Sequence, residues 1–511
     1  MSSHDLLIIC FIFDSWLLSN NILEYMAQLK SLKPSSVWKY FEEIAEIPRP
    51  SKKEDKIIDY IIAFALEHKL EYRKDATGNI VILKPASKGY ESRKSVCLQS
   101  HLDMVCEKNS SSQHNFETDP IEVVINGDWV KSKDTTLGAD NGIGIAAQLA
   151  LLSDRELKHG PVECLFTVDE ETGLNGAKGL ESGFFTSNIL INLDSEDEGE
   201  LFIGCAGGMN TLATLKYNVR RTPDNSSAFR IDVSGMLGGH SGTDIHKNRG
   251  NSVRVLNQFL WESRNRFGAR LVAFEGGNLR NAIPREAYAI VVIPDKYNDV
   301  FTEFFHHYTR ILKSEYLIDE PQIQFSLQSA PLPEKVMKKK VQEKLLNSLY
   351  ACPNGVISWS RVMDNLVETS TNLASIKFDA TNHIIISTSQ RSSVNAAKIQ
   401  IANAVRSTFK LAGAQVEQTE GYPGWNPNPD SAILRITKSC YKSLFSEEPA
   451  VRAIHAGLEC GLFLEKYPHL DMISFGPTIL DAHSPSERVS IQTTDKFWKL
   501  LLEVLRQIPG I

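Results

Sequence analysis

No C-x-x-C pair occurs among the eight cysteines of this 511-residue sequence. Cys10, Cys97, Cys106, Cys164, Cys205, Cys352, Cys440 and Cys460 are scattered, several of them inside apolar runs such as "VECLF" and "SVCLQS". That usage suits reduced, buried thiols in a cytoplasmic protein better than a disulfide framework. A basic excess is missing too: 55 Lys and Arg face 62 Asp and Glu, a formal charge of −7. With no surplus of cations to neutralise phosphates, nucleic acid is not an expected partner. Nor does "GCAGGMN" make a nucleotide loop, since it lacks the G-x-G-x-x-G spacing and the P-loop lysine. Near the N-terminus "LLIICFIFDSWLL" is apolar, but Asp14 interrupts it and it falls short of the about 20 residues of a membrane span. It also lacks the marks of a secretory signal: the first basic residue is Lys30, and there is no small-residue cleavage site. "MAQLKSLKPSSVWKYF", from Met26, reads as the start of a cytosolic protein. Residues 1–25 are therefore expected to be an extension that is not part of the fold, and no membrane partner is expected.

What is present is the ordinary material of a large globular chain, 42% hydrophobic and 23% charged, long enough for two domains. Helical spacing in "SSVWKYFEEIAEIP" and "KKEDKIIDYIIAFALEHKL" gives way to strand-like runs alternating with helices. "NIVILKP", "SVCLQS", "VECLFTV" and "NILINLD" read as strands, with "GIGIAAQLALLSD" a helix among them. This alternation predicts an α/β domain on a central sheet. Beyond Gly207 the rhythm becomes strand–helix–strand, first from "AFRIDVSGM" to "YAIVVIP" and again from "IIISTSQR" to "AQVEQTEG". That repeated rhythm predicts an α+β insert. After the Pro- and Gly-rich "GYPGWNPNPD" the α/β character returns. The expected fold class is α/β: a central mixed sheet formed by residues 26–207 and 422–511, with an inserted α+β domain over 208–421.

Several strands end on chemistry. "QSHLDMV" puts His101 and Asp103 two residues apart after a buried-looking run. The pair reads equally as polar residues held by hydrogen bonds or as a metal ligand with its orienting carboxylate. "ECLFTVDEE" and "ILINLDSE" also end strands on carboxylates, and "TTLGADNGIG" places Asp140 at a glycine-flanked turn opening a helix. "DAHSPSE" adds His483 in a polar loop. In open α/β sheets such strand ends share one crevice. His101, Asp140, Glu171, Asp194 and His483 are then nitrogen and oxygen donors suited to zinc, or to manganese or cobalt. Five ligands exceed one tetrahedral site but fit two ions roughly 3.5–4 Å apart, each with a histidine and a terminal carboxylate, sharing a bridging carboxylate. Of the adjacent Glu170 and Glu171, one would bind metal and the other serve as general base. Taken singly, each residue has an ordinary reading: Asp103 a surface carboxylate, Asp140 a helix cap, "DEE" a solvated turn.

As an ordered set, "HLDMV", "TTLGADNGIG", "TVDEETG", "INLDSEDEGEL" and "GPTILDAHSPSE" closely resemble the aminoacyl-histidine dipeptidases, the peptidase D branch of the M20 di-zinc metallopeptidases. "GGHSG", "NAIPREA" and "IHAGLECGLF" strengthen the likeness, which runs from about Ser35 to the end. The resemblance implies that His101 and Asp194 bind one zinc and Glu171 and His483 the other. Asp140 would bridge them, with a cis peptide following it. It makes Asp103 the orienter of His101 and Glu170 the general base. It places substrate contacts on His240, Asn281, Arg391 and Gly457, and makes the insert a lid that mediates homodimerisation. Chemically, Arg391 suits a terminal carboxylate, and His240 and Asn281 suit a carbonyl oxygen gaining negative charge. The implied activity is hydrolysis of unblocked dipeptides, Xaa-His and broader, with β-alanyl-histidine in range, by zinc-bound hydroxide. Two other readings stay open: an N-acyl-amino-acid deacylase on the same scaffold, and a non-catalytic, metal-stabilised binding protein. A spare glutamate beside Glu171 argues against the second, because a purely structural site needs none. Asp169 stands where some relatives have threonine, just before the expected base.

Overall fold

The computed structural model describes residues 29–510; the segment read above as an N-terminal extension lies outside them. Two compact units divide the chain. One gathers the chain up to Ile203 with Asn428–Arg452 and Leu458–Ile511, and the other comprises Gly204–Pro427 with Ala453–Gly457.

The first unit is built on an eight-stranded sheet among the described residues, in the order Glu71–Lys74, Ile80–Lys84, Val162–Thr167, Val96–His101, Ile189–Asn192, Asp471–Ser474, Glu200–Cys205 and Ala450–Ile454. Its four middle strands run parallel, with His101 opposite Thr167, Val96 opposite Ile189, and Asp471 opposite Ile189 on the other side. Parallel strands are covered on both faces, so they tolerate continuous apolar sequence. Val96–His101 and Val162–Thr167 are accordingly buried at every position. The helix Ala139–Ser153 is apolar around its whole circumference and buried from Asn141 to Leu152, as expected of a helix packed on all sides. Because the middle strands are parallel, their carboxyl ends lie along one edge of the sheet. His101 ends one strand there, and Glu170, Asp194 and His483 follow the ends of three others. A small four-stranded sheet pairs Arg488–Ser490 with Trp129–Ser132, joining the segment after His483 to the segment before Asp140.

The second unit carries a larger, antiparallel sheet. Its order is Gln324–Ala330, Ser226–Ser234, Ala287–Pro294, Arg270–Gly276, Val367–Phe378, His383–Ser392, Gly207–Lys216 and Gln415–Gln418, with Gly355–Trp359 paired to Val367–Phe378. The two rhythmically similar halves of the sequence form the two halves of this sheet, joined where Gly276 faces Ile376. One apolar core fills the space between the sheet and its helices, with Phe259, Phe301, Phe305, Leu345, Val405 and Phe409 meeting strand residues such as Leu271, Ala289 and Ile386. The Ser252–Phe267 helix shows how local sequence sets its ends. The Asn251 side chain accepts the Arg254 N–H, and Gly268 takes the left-handed conformation that stops the helix.

Candidate metal centre

Five of the donor side chains singled out in the sequence come together at the carboxyl edge of the first unit's sheet. His101, Asp140 and Asp194 present ligand atoms within 4.8 Å of one another, and so do Asp140, Glu171 and His483. Asp140 belongs to both groups. Its Oδ1 lies 2.9 Å from His101 Nε2 and its Oδ2 3.1 Å from His483 Nε2. A terminal carboxylate completes each side: Asp194 Oδ1 is 3.3 Å from His101 Nε2, and Glu171 Oε1 is 3.1 Å from His483 Nε2. The peptide after Asp140 is cis. Asn141, on its far side, donates from Nδ2 to the Leu193 carbonyl at 3.0 Å and also to Asp194 Oδ1. The turn bearing one carboxylate thereby holds another.

Charge is crowded here. Burial pushes Asp194 up to about 6, with Asp140 adding to the rise against the pull of His101. Hydrogen bonds donated to Asp140 and Glu171 hold His483 up to about 11 despite its partial burial. Burial works against charging His101, yet Asp194, Asp103 and Asp140 outweigh it and raise its pKa. Burial likewise raises the Glu170 carboxyl well above the carboxylate range, and Asp194, Glu171 and Glu459 add to it while His101 opposes. Three carboxylates against two imidazoles, with no thiolate, is a hard nitrogen–oxygen donor set, and it fits divalent cations that would offset the like charges.

Asp103 is fully buried and sits behind this set. The expected side-chain contact to His101 takes a more elaborate form: His101 Nδ1 lies 3.1 Å from the Asp103 backbone carbonyl and 3.3 Å from its Oδ1. The carboxylate also accepts the backbone N–H groups of Glu170 at 3.0 Å and Glu171 at 3.1 Å, and the Ser51 hydroxyl at 2.8 Å. Burial alone would raise its pKa, but His101 and these donors bring it down to about 2. Glu170 shares a donor group with His101 and Glu171, so proximity by itself does not separate the two glutamates. Their contacts do: Glu171 faces His483, whereas the Glu170 side chain makes no hydrogen bond to another described residue.

Several side chains in this unit escape the sequence reading. Glu459 is buried, takes hydrogen bonds from Gln99 Nε2 at 2.6 Å and Thr167 Oγ1 at 2.8 Å, and is pushed up to about 8 by burial. Gln99 in turn accepts from Asn192 at 2.6 Å, so a polar layer laces the strands two residues below His101 and Asp194. Arg49 and Glu487 are also buried. Local clues are slight: Glu487 closes "DAHSPSE" and Glu459 lies within "IHAGLECGLF".

In the second unit, three of the four expected substrate contacts are linked. Arg391 Nη2 is 3.5 Å from His240 Nε2, and Nη1 donates to the Tyr422 hydroxyl at 3.3 Å. Gly457 packs on the same tyrosine, since a Cβ there would lie 2.9 Å from the ring. Arg391 is 8% exposed, and its Nε has no hydrogen-bond partner among the described residues. Burial, reinforced by Arg391, lowers His240 to about 4. Asn281 joins through its backbone: its carbonyl accepts the Ser241 N–H at 2.7 Å, and the residue is exposed. The sequence reading passes over His455, which is buried, bonded to Ser370 Oγ at 2.7 Å, and lowered to about 3 by burial with Arg391 nearby.

Residues 97–507 match the profile of peptidase family M20/M25/M40. The chain is 42% identical over 485 residues, 95% of its own length and all of the other's, to the cytosol non-specific dipeptidase of Escherichia coli. It superposes with a TM-score of 0.88 on the crystal structure of aminoacylhistidine dipeptidase from Vibrio alginolyticus, at 42% identity, covering 95% of this chain and 99% of that one. An aminopeptidase from Bacillus cereus, 16% identical with a TM-score of 0.54 over 93% of this chain and 99% of that one, shares the fold.

Proposed function

The chain belongs to peptidase family M20/M25/M40, and from that premise we propose that it is a two-metal dipeptidase acting on unblocked dipeptides. One observation carries the reading: the two oxygens of Asp140 face two different histidines, each of which also meets its own terminal carboxylate. A carboxylate placed this way is suited to bridge two cations. His101 and Asp194 would hold one and Glu171 and His483 the other, with Zn²⁺ the ion best matched to these donors and Co²⁺ or Mn²⁺ able to replace it. Two bound ions supply Lewis acidity, polarising the scissile carbonyl and easing deprotonation of water.

The remaining work falls to the protein's own groups. Glu170 is the general base: it takes the proton of the attacking water and delivers it to the leaving amine. In support, its backbone N–H is held by Asp103, and its side chain makes no hydrogen bond to another described residue. Arg391 grips the substrate's terminal carboxylate with its planar fork, and its unpartnered Nε is a donor in reserve. His240 and Asn281 steady the carbonyl oxygen as it gains charge, and Gly457 leaves room beside Tyr422. The two relatives named as dipeptidases support this substrate class, and the name of the Vibrio relative supports histidine in the second position. The word cytosol in the name of the Escherichia coli relative supports a cytoplasmic enzyme, and the family resemblance implies a homodimer formed through the second unit.

The test is an assay of the purified protein on free and N-acetylated dipeptides, including Xaa-His and β-alanyl-histidine. Hydrolysis of the free dipeptides should vanish with chelator and return with Zn²⁺, Co²⁺ or Mn²⁺. Preference for the acetylated series would mark a deacylase instead. Full activity in protein shown by elemental analysis to be metal-free would remove the metal reading.

A further inference from the structure

The chain after His483 returns a buried carboxylate to the turn that carries Asp140. Glu487 Oε2 accepts the backbone N–H groups of Leu137 at 2.7 Å and Gly138 at 2.9 Å, while Oε1 accepts those of Ala139 at 2.7 Å and Asp140 at 3.3 Å. These four successive donors open the Ala139–Ser153 helix, where N–H groups have no partner inside the helix itself. Pairing of Arg488–Ser490 with Trp129–Ser132 brings Glu487 to them.

Arg49 acts on the same turn. Its Nη1 donates to the carbonyls of Leu102 at 3.0 Å and Asp103 at 2.8 Å, and its Nη2 donates to the Gly138 carbonyl. Glycine is required on that side. A Cβ at Gly138, whose φ is +71°, would lie 2.5 Å from Arg49 Nη2, and one at Gly142 would lie 2.8 Å from it. Arg49 and Glu487 are 3% and 2% exposed, and the Glu487 charge acts on Arg49 against the effect of burial. Two buried charges that each bind backbone are a poor means of adding stability, since well-packed apolar residues often serve as well. What these two residues provide is placement. Between them they tie three segments: the end of the His101 strand, the Asp140 turn, and the loop bearing His483.

We propose that Glu487 and Arg49 are positioning residues that set the two ion sites separately. Glu487 fixes the Asp140 turn against the His483 loop, and Arg49 fixes the same turn against the His101 strand end. The inference rests on the two-ion reading above. It follows that Glu487→Gln, which turns one accepting oxygen into an NH₂ facing two N–H donors, loosens chiefly the Asp140–Glu171–His483 side. Arg49→Lys keeps the charge but loses the fork across two carbonyls, and loosens chiefly the His101–Asp140–Asp194 side.

Zinc titration of the metal-free full-length protein against a competing chelator, with bound zinc counted by elemental analysis, tests this independently of activity. Wild type should take two equivalents. Glu487→Gln should keep one at wild-type affinity and bind the other about 10–100-fold more weakly, the usual effect of removing an outer partner of a metal site. Further substituting His483→Ala should remove the weakened equivalent from Glu487→Gln, and Asp194→Ala should remove it from Arg49→Lys. If Glu487→Gln does not fold, Arg49→Lys alone carries the test. Two full-affinity equivalents in both variants would overturn the proposal. So would equal weakening of both equivalents together with early melting of the zinc-free protein, which marks a merely structural role. A wild-type protein that binds fewer than two zinc ions would overturn the two-ion reading itself, a result distinguishable from failure of the clamp.

Discussion

Glu170 takes its backbone position from Asp103: the Glu170 N–H donates to Asp103 Oδ1 at 3.0 Å, and that same oxygen lies 3.3 Å from His101 Nδ1. One buried carboxylate therefore aligns a candidate ligand and the candidate base. Asp103→Asn keeps the size but cannot accept on both sides, because its NH₂ would face a backbone N–H. A fall in kcat of about 10–100-fold with little change in KM is expected, together with weaker zinc binding. Steady-state kinetics on a free dipeptide checks this. An unchanged kcat would leave Asp103 a structural residue only.

Glu170→Gln should lose about 10²–10⁴-fold in kcat, the typical contribution of a general base, while still binding two zinc ions. Elemental analysis alongside single-turnover kinetics separates the two effects. A variant that lost metal instead would exchange the roles of Glu170 and Glu171.

Arg391→Ala should act mainly on KM for free dipeptides. Losing a hydrogen bond between charged groups costs about 1.5–3 kcal/mol, roughly a 10- to 150-fold rise. The effect should shrink for dipeptide amides, which lack the terminal carboxylate. Equal losses on both substrate types would point to the Tyr422 contact as the real role of this arginine.

His455 gives a pH signature outside the metal centre. Burial, with Arg391 nearby, lowers its pKa from 6.5 to about 3. Below pH 6.5 the unfolded chain then binds a proton that the folded chain refuses. Its contribution to stability is complete above pH 6.5 and is lost as pH falls toward about 3. His455→Gln should flatten the acid limb of the melting temperature against pH over that window. A limb as steep as that of wild type would show that other groups control it.

Apart from His483, which sits in a polar loop, the donor set is legible in the sequence because each member follows an apolar run or opens a helix, and strand ends in a parallel sheet share an edge. His101, Asp194 and the Glu170–Glu171 pair all follow this rule, and the turn glycines draw attention to Asp140. Arg49, Glu459 and Glu487 follow no such rule. They act on backbone atoms or on uncharged side chains brought close by the fold, and a lone charged residue in a polar loop usually marks solvent. Tyr422 and His455 lie inside quoted motifs, yet their partners Arg391 and Ser370 come from distant strands. The repeated rhythm of the insert is visible locally, whereas the joining of its halves at Gly276 and Ile376 depends on pairing across long loops that no periodicity encodes.

The strand order of the first sheet also bears on synthesis. Asp471–Ser474 lies beside Ile189–Asn192, although the whole of Gly204–Pro427 is translated between them. A growing chain can assemble the sheet as far as Ile189–Asn192 and then must leave that apolar edge bare until a late segment emerges. His483 and Glu487 arrive later still. Non-local pairing of this kind folds slowly and exposes aggregation-prone edges in the interval. The nascent protein is thus most in need of a chaperone while the inserted unit is being made, and a chain terminated there carries four of the five donors, without His483, and an open sheet.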